Sequence, residues 1–535
     1  MKKAYKYIFT LSLAALSFSM GAAAQDFQTG YFLGGYNHAF RLNPAFQSER
    51  SQMSFLIGDI GVGSRSDLGL STFLFPRDGQ LVTGLSPKVT SEEFLGGFTD
   101  AMNPLGAYAN VDIFTLGFWA NRSYITFDTR LRSDIEMVFP TSLFEFLKDG
   151  SSKKTEFDLA GLNANADAIL EMAVGYSRRI GDKLSVGGRL KFLEGVAHAS
   201  ITMDKALIKL NQDKWVLEAQ GVLDAAISSA GLDVDEKGYF DYESLSDNLK
   251  EADMSQPAGK GFAVDLGVTY DILPWITASA AILDLGVMNW NHTIYGVSPT
   301  SYTWDPKDKQ IDLLDSDSMD GFVDDEIDDL KEAMENILKF KPAKADGVKS
   351  KLPLRLNAGV EVRLPFYDRL SLGALYSMKT SDIYKWNEVR LSLNWTPVKF
   401  VSLSGSTGLS NFGESFGAAL NFHPRVLNFF VGADFIPKTI AALPKIGDTA
   451  LPSFIGLPVE KLNANIYMGL SIAIGRTRID HTRNLILAET KSEELTEDPF
   501  PLEEPSVSET KAPEAVPQPA EEPALEGEEV AVDRS

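Results

Sequence analysis

Residues 354–364 read LRLNAGVEVRL, and every second residue of this stretch is apolar. The alternation resumes at 370–376, after the short turn PFYD at 365–368, and again in EVRLSLNW at 388–395. A period of two predicts extended strands with one apolar and one polar face. A soluble β-sandwich and a membrane β-barrel both use this pattern, so the rest of the chain has to distinguish them.

Composition and charge exclude several classes of protein. The 535 residues include no cysteine, which excludes disulfides, a thiolate nucleophile and cysteine-ligated metals. The formal net charge is −23, but residues 488–535 hold 15 acidic and 3 basic residues, and residues 303–346 hold 14 and 6. The other 443 residues therefore carry a net charge of only −3. No basic patch is apparent, so nucleic-acid binding is not expected.

The N-terminus has the pattern of an export signal. Lys2, Lys3 and Lys6 precede an apolar run at 7–20, which ends in three alanines at 22–24. This order predicts a signal peptide at 1–24 and a mature chain beginning at Gln25. The apolar run is shorter than the ~20 residues of a spanning helix. An exported chain without such a helix is either soluble or a barrel.

Strand-like alternation recurs along the mature chain. The clearest further examples are 184–192, 262–272 and 466–474, and 52–62, 67–75, 275–283 and 286–295 are also predicted strands. Short helices are predicted at 92–102 and 222–230. The total is 14 to 16 strands, many of them about ten residues long, as a tilted transmembrane strand requires.

The connections between these strands are of two kinds. Short turns near 181–183, 273–275, 365–368 and 397–400 alternate with long insertions at 205–258 and 296–352. Short turns on one side and long loops on the other are typical of outer-membrane barrels, whereas a sandwich gives no reason for this asymmetry. We therefore predict an all-β fold, a transmembrane outer-membrane β-barrel of about 14 antiparallel strands within residues 51–480. The Pro/Glu-rich tail at 481–535 is predicted to be disordered and periplasmic.

Four stretches resemble a known family. They are LNPAF at 42–46, EMAVGYSR at 171–178, GGRLKFLEG at 187–195 and GFAVDLGVTY at 261–270. They resemble a bacterial outer-membrane family catalogued as a domain of unknown function, whose barrels are similar to the FadL fatty-acid transporters and to PorV of the type IX secretion system. The resemblance implies an N-terminal plug at 25–50, with Asn43, Pro44 and Ala45 packed inside the lumen.

Polar residues on the alternating strands are the candidate lumen residues. An arginine facing lipid near the bilayer midplane costs ~2–4 kcal/mol, so these side chains should face inward. They either line a conduction path or pair with one another in a closed lumen, and the closed lumen is favoured. The candidate residues are Arg355, Asn357, Glu361, Arg363, Glu388, Arg390 and Asn394.

No motif predicts an enzyme, a cofactor or a metal site. GESFG at 413–417 matches G-x-S-x-G but continues as a strand, whereas a nucleophile elbow is followed by a helix. The acidic stretch 315–321 fails the EF-hand spacing. We expect a FadL-like barrel that passes or binds a small molecule, hydrophobic molecules included; the alternative is a structural barrel that binds secretion or envelope proteins. Outer-membrane lipid and the barrel assembly machinery are the other expected partners.

Overall fold

The computed structural model describes most of the region between Phe27 and Ile486. The predicted signal peptide, the acidic stretch 315–321 and the chain from 487 onward lie outside the described residues. The described residues are 27–77, 80–98, 101–150, 153–210, 215–227, 230–244, 247–248, 256–291, 294–299, 301–304, 339–344, 348–437, 440–442, 445–446, 449–450, 456–458, 461–480 and 485–486.

Fourteen long strands form the wall of the molecule. Strand β1 has two parts, Ser51–Phe55 and Ile60–Ser66. The others are β2 (Met102–Ala120), β3 (Ser123–Pro140), β4 (Asn163–Ile180), β5 (Leu184–Leu210), β6 (Gly259–Leu273), β7 (Ile276–Trp290), β8 (Leu354–Leu364), β9 (Tyr367–Thr380), β10 (Lys385–Val398), β11 (Val401–Ser410), β12 (Gly413–Phe422), β13 (Leu427–Ala433) and β14 (Ala464–Ile474).

The wall closes on itself. Each strand pairs antiparallel with the next, and β14 pairs both with β13 and with the two parts of β1. Closure leaves no open sheet edge among these strands, which is the arrangement that a lipid environment requires of a β-structure. The predicted all-β barrel of about 14 antiparallel strands is confirmed.

The polarity of the wall is the inverse of that of a soluble protein. On β10, Val389, Leu391 and Leu393 are 53%, 55% and 49% exposed, whereas Glu388 and Arg390 are each 1% exposed. Apolar side chains that point outward around a closed barrel face lipid, and the buried charges face the lumen. Among the described residues, no helix is long and apolar enough to cross a membrane.

The two ends of the barrel differ. Tight connections such as 181–183 and 365–366 join the strands at one end, which we call the short-turn end. Longer connections join the strands at the opposite end, which we call the long-loop end. Helices α1 (Leu70–Phe73), α2 (Ser91–Leu95) and α3 (Thr141–Asp149) lie in long-loop connections. The remaining described elements are strands Leu74–Arg77, Gln80–Thr83, Glu156–Asp158, Trp215–Ile227, Asp233–Val234, Phe240–Asp241, Ile294–Val297, Tyr302–Trp304, Lys341–Pro342, Val348–Lys351, Ile440–Ala442, Lys445–Ile446, Thr449–Ala450, Gly456–Pro458, Ile479–Asp480 and Leu485–Ile486, and 3₁₀ turns Ala39–Arg41 and Tyr242–Ser244.

Three local predictions are wrong. The stretches 275–283 and 286–295 belong largely to one strand, β7, which a bulge at Asp284 interrupts without ending. The predicted strand at 67–75 contains α1 instead, because β1 ends at Ser66. The predicted helix at 222–230 falls mostly on the strand Trp215–Ile227, since β5 continues past its pairing with β6 and this strand pairs with the extension.

Leu391→Arg tests the assignment of the lipid-facing surface. An arginine on the outward face of β10 should lower the free energy of unfolding in lipid vesicles by about 2–4 kcal/mol, because the charge must enter the hydrocarbon. Urea titration of heat-modifiable electrophoretic mobility measures this change. Leu391→Ala is the control for lost side-chain volume, and an arginine variant as stable as the alanine variant would contradict the assignment.

Candidate functional site

The plug, residues 27–48, is a buried segment without strands inside the barrel. Successive turns organise its backbone, with Gly30 N donating to Phe27 O and Tyr31 N to Gln28 O, followed by the 3₁₀ turn Ala39–Arg41. Most of its side chains are buried, Asn43 completely. An irregular backbone within a membrane protein needs polar partners for its N–H and C=O groups, and here the barrel wall provides them.

Amide side chains of the wall bind the plug backbone. Asn357 Nδ2 donates to Leu42 O at 2.9 Å, and Asn421 Nδ2 donates to Gly34 O at 2.9 Å. At the beginning of the plug, the Asp434 carboxylate accepts the backbone N–H groups of residues 28 and 29 at 3.0 and 2.6 Å. Asn357 lies on β8, Asn421 on β12 and Asp434 directly after β13, so separate parts of the wall hold the plug.

Asn43, Pro44 and Ala45 lie in the plug, against the wall. Asn43 Oδ1 accepts the Ala45 N–H at 2.9 Å, which fixes the local turn, and Asn43 Nδ2 donates to the carbonyls of Val268 and Ala280 at 3.3 Å each. Its amide therefore binds the backbone of β6 and β7 directly.

Glycines of the wall allow this close approach. A Cβ atom at Gly187 would lie 2.0 Å from Pro44 O, and one at Gly267 would lie 2.1 Å from Asn43 Oδ1. No side chain fits at such distances unless the plug moves. The absence of a side chain at these two positions is therefore a condition for seating the plug.

Arg41 joins the plug to the charged part of the wall. Its guanidinium contacts Asp112, lies 3.1 Å from Asp59 Oδ2 and lies 3.6 Å from Asp128 Oδ2. Breaks in the strands bring these carboxylates inward: residues 56–59 separate the two parts of β1, and β2 has a register shift at Asp112. β-bulges re-aim side chains in this way.

The ion pairs continue across the lumen from Arg41 to β8. At the end of this series farthest from Arg41, Asp284 pairs with three cations: it lies 3.0 Å from Arg132, 2.6 Å from Lys191 and 2.7 Å from Arg355. Among the described residues, contacts of 3.7 Å or less join six cations and six carboxylates, and a longer contact of 3.9 Å between Arg132 and Asp134 connects them to Lys379 and Glu136. The members of this ion-pair network, joined by the shorter contacts, are Arg41, Asp59, Asp112, Asp128, Arg130, Arg132, Glu171, Arg189, Lys191, Asp265, Asp284 and Arg355.

The predicted lumen residues lie in several different environments. Arg355 belongs to the ion-pair network, and Asn357 binds the plug. Glu388 pairs with Arg390 at 2.7 Å, and Asn394 accepts a hydrogen bond from Ser404 at 2.7 Å. The remaining two, Glu361 and Arg363, are half-buried and pair with each other towards the short-turn end.

Most of the network was not nominated from the sequence, although a usable signal was present. Asp265 and Arg189 occupy polar positions within alternating stretches, as Arg355 does. Sequence alternation identifies such inward positions but not which of them meet. Arg41 lies outside any strand, so alternation could not identify it.

Ser415, the serine of the G-x-S-x-G match, lies within β12. It accepts a hydrogen bond from Arg390 Nη2 at 3.0 Å and lies 3.3 Å from Glu388 Oε2. It is therefore part of a lumen ion-pair cluster and is not presented on a strand-to-helix turn.

A small cavity lies between the plug and the wall. Arg41, Asp59, Asn110 and Tyr467 are among its lining residues, and its volume is about 10 Å³. That volume holds at most one water molecule. In this state the cavity offers no space for an organic solute.

Gly187→Val tests the seating of the plug. The added side chain overlaps Pro44 and should weaken docking by about 1–3 kcal/mol, which corresponds to roughly 5- to 150-fold in the population of undocked plug. The chain has no cysteine, so Ala45→Cys introduces a single thiol whose labelling rate by a maleimide reports undocking.

Gly188→Val, in the same labelling background, is the matched control. A Cβ there meets its nearest atoms at 3.5 and 3.6 Å, an ordinary contact distance, and none of them belongs to the plug. Equal labelling rates in the two valine variants would show that Gly187 does not govern docking.

Comparison with known proteins places the chain in a family. Solved structures similar to it include the toluene transporter TbuX of Ralstonia pickettii (9% identity, 81% of this chain and 92% of that chain, TM-score 0.36). Others are the monoaromatic hydrocarbon channel CymD (10%, 86% and 98%, 0.36) and a FadL homologue of Pseudomonas aeruginosa (10%, 84% and 98%, 0.34). No curated protein sequence matches the chain. Residues 44–434 match the model of a family of unknown function, DUF5723, and the chain belongs to that family.

Proposed function

We propose that this protein is an outer-membrane channel for small molecules, gated by its N-terminal plug. The observation that carries the proposal is the way the plug is held. Residues 27–48 form a separate segment that enters the lumen and is retained by hydrogen bonds, ion pairs and side-chain packing. Such contacts can be exchanged for water or for a ligand, so the segment can leave its seat while the barrel stays closed by its strand pairing.

The surface beneath the plug indicates what kind of molecule would take its place. The ring of Phe27 stacks on Tyr467 with the ring centroids 4.7 Å apart, and Tyr36 meets Phe430 edge-on at 4.8 Å. Undocking would expose this aromatic surface beside the polar amides and serines of the wall. A small molecule with an apolar body and a polar group matches both surfaces, whereas an inorganic ion matches only one of them.

Arg41 sets the resting state. Undocking removes its guanidinium from Asp59, Asp112 and Asp128, which then have to be hydrated. Removing one partner of a buried ion pair typically costs about 3–5 kcal/mol. In the wild type the loss of these ion pairs opposes undocking. In an Arg41 variant the cost of unpaired buried charge falls on the docked state, because Asp59 and Asp112 stay buried without their cation, while Asp128 keeps its pair with Arg189.

Conductance in planar lipid bilayers tests the channel. The wild type should be closed most of the time, and Arg41→Gln should open far more often. Deletion of residues 27–48 should leave the pore continuously open. Arg369→Gln is the control, because Arg369 is exposed at the short-turn end, where it donates to Pro397 O.

A plug-deleted protein that folds, as shown by heat-modifiable mobility, and yet conducts no more than the wild type would contradict the proposal. That result would favour the second candidate, a structural or partner-binding barrel. One observation supports this alternative. Residues 197–210 of β5 pair with Trp215–Ile227, beyond the stretch of β5 that pairs with β6. This added sheet contributes to its own buried core, which includes Phe146, Ile208 and Leu217.

A further inference from the structure

Arg65, near the long-loop end of β1, is a buried arginine with no hydrogen-bond acceptor among the described residues. Its side chain is 1% exposed, and Nε, Nη1 and Nη2 all lack partners in the described part of the chain. Other buried arginines have ion-pair partners: Arg41, Arg189 and Arg390 each contact at least one carboxylate. Arg65 therefore departs from the way in which this lumen otherwise neutralises its charges.

Aromatic rings surround the Arg65 guanidinium. Its central carbon lies 3.8 Å from the ring centroid of Trp386, 5.3 Å from that of Phe435 and 5.4 Å from that of Tyr108. These contacts are favourable because the face of the ring attracts the cation. They do not satisfy N–H groups that point along the guanidinium plane, and a buried donor left unpaired is destabilising.

Trp386 adds a further donor to this site. Its side chain is 1% exposed, and its Nε1–H also has no acceptor among the residues that the structure describes. The site thus combines four donor nitrogens, three from Arg65 and one from Trp386, with one positive charge. An acceptor with negative charge would satisfy both kinds of group.

The position of the site connects it to the plug. Arg65 and Tyr108 come from the adjacent strands β1 and β2, Trp386 from the start of β10, and Phe435 from the residue pair that follows β13. The other member of that pair, Asp434, holds the first backbone N–H groups of the plug. A molecule that enters from the long-loop end and contacts Phe435 would therefore lie one residue from a main attachment of the plug.

We propose that Arg65 and Trp386 bind the carboxylate of a small organic acid at the long-loop end of the lumen. A carboxylate presents two oxygens to the guanidinium fork, and its single charge equals that of Arg65. The nearby Arg390 is already paired with Glu388, so a phosphate dianion would lack its second cation. The surrounding rings favour an acid with an apolar or aromatic body.

This site would define the substrate class of the proposed channel, and in that respect the inference rests on the proposed function. Binding can nevertheless be measured without transport, by isothermal titration calorimetry of the full-length protein in a non-ionic detergent. Benzoate is the probe, benzamide is its uncharged analogue, and chloride represents inorganic anions. Benzoate should bind the wild type, with benzamide and chloride at least about tenfold weaker, because a charge-assisted bidentate contact contributes ~1.5–3 kcal/mol.

Four variants assign the binding to this site. Arg65→Met should weaken benzoate binding by at least about tenfold, and Arg65→Lys should recover only part of it because an ammonium lacks the fork. Trp386→Phe keeps the ring but removes the Nε1–H, and should weaken binding about threefold or more. The control is Arg77→Met, at an arginine in the connection between β1 and β2 that pairs with Glu93.

Three results would overturn the proposal: no benzoate binding to the wild type, equal binding of benzoate and chloride, or unchanged binding in Arg65→Met and Trp386→Phe. Heat-modifiable mobility identifies variants that fail to fold, and if Arg65→Met fails, Trp386→Phe and benzamide still decide the result. Benzoate binding without conductance in the plug-deleted protein would contradict the channel but not the site. Conductance without binding would contradict only the site.

Discussion

A ring of fourteen strands encloses more space than its inward-facing side chains can fill. Eight-stranded barrels are filled by their own side chains, and wider barrels hold either water or an inserted segment. Here residues 27–48 occupy the lumen, and several wall residues are explained by their contacts with this segment. Asn357 and Asn421 supply donors to the plug carbonyls, and Gly187 and Gly267 leave room for its backbone. These residues serve the plug rather than the strands in which they lie.

Buried charge imposes the second condition on the lumen. Each ion removed from water must be compensated, and in the network that starts at Arg41 each cation contacts at least one carboxylate. The backbone of the wall is irregular at three of these carboxylates: register shifts occur at Asp112 and next to Asp265, and Asp284 adopts a left-handed backbone conformation with a φ of 61°. All three carboxylates belong to the network, so these three irregularities coincide with places where charges meet.

Much of the fold could be predicted from residues 354–395 and the stretches that repeat their pattern. A period of two identifies strands, and short turns alternating with long insertions identify the closed barrel. The prediction was less accurate where the chain leaves regular alternation. Asp284 interrupts the apolar pattern and divided β7 into two predicted strands. Residues 222–230 were predicted as a helix because their strand partner, the far part of β5, could not be seen from local sequence.

For the candidate site, the sequence by itself determined which side chains face inward, because alternation places Arg355, Glu388 and Arg390 on the polar face. The family resemblance added that Asn43 belongs to a plug. Only the tertiary structure decided which charges meet: Arg41 reaches Asp59, Asp112 and Asp128, while Arg65 pairs with no carboxylate of the described residues. The physical reason is that pairing in the lumen depends on strand register and on where the plug lies, and both are set by contacts between residues far apart in the chain.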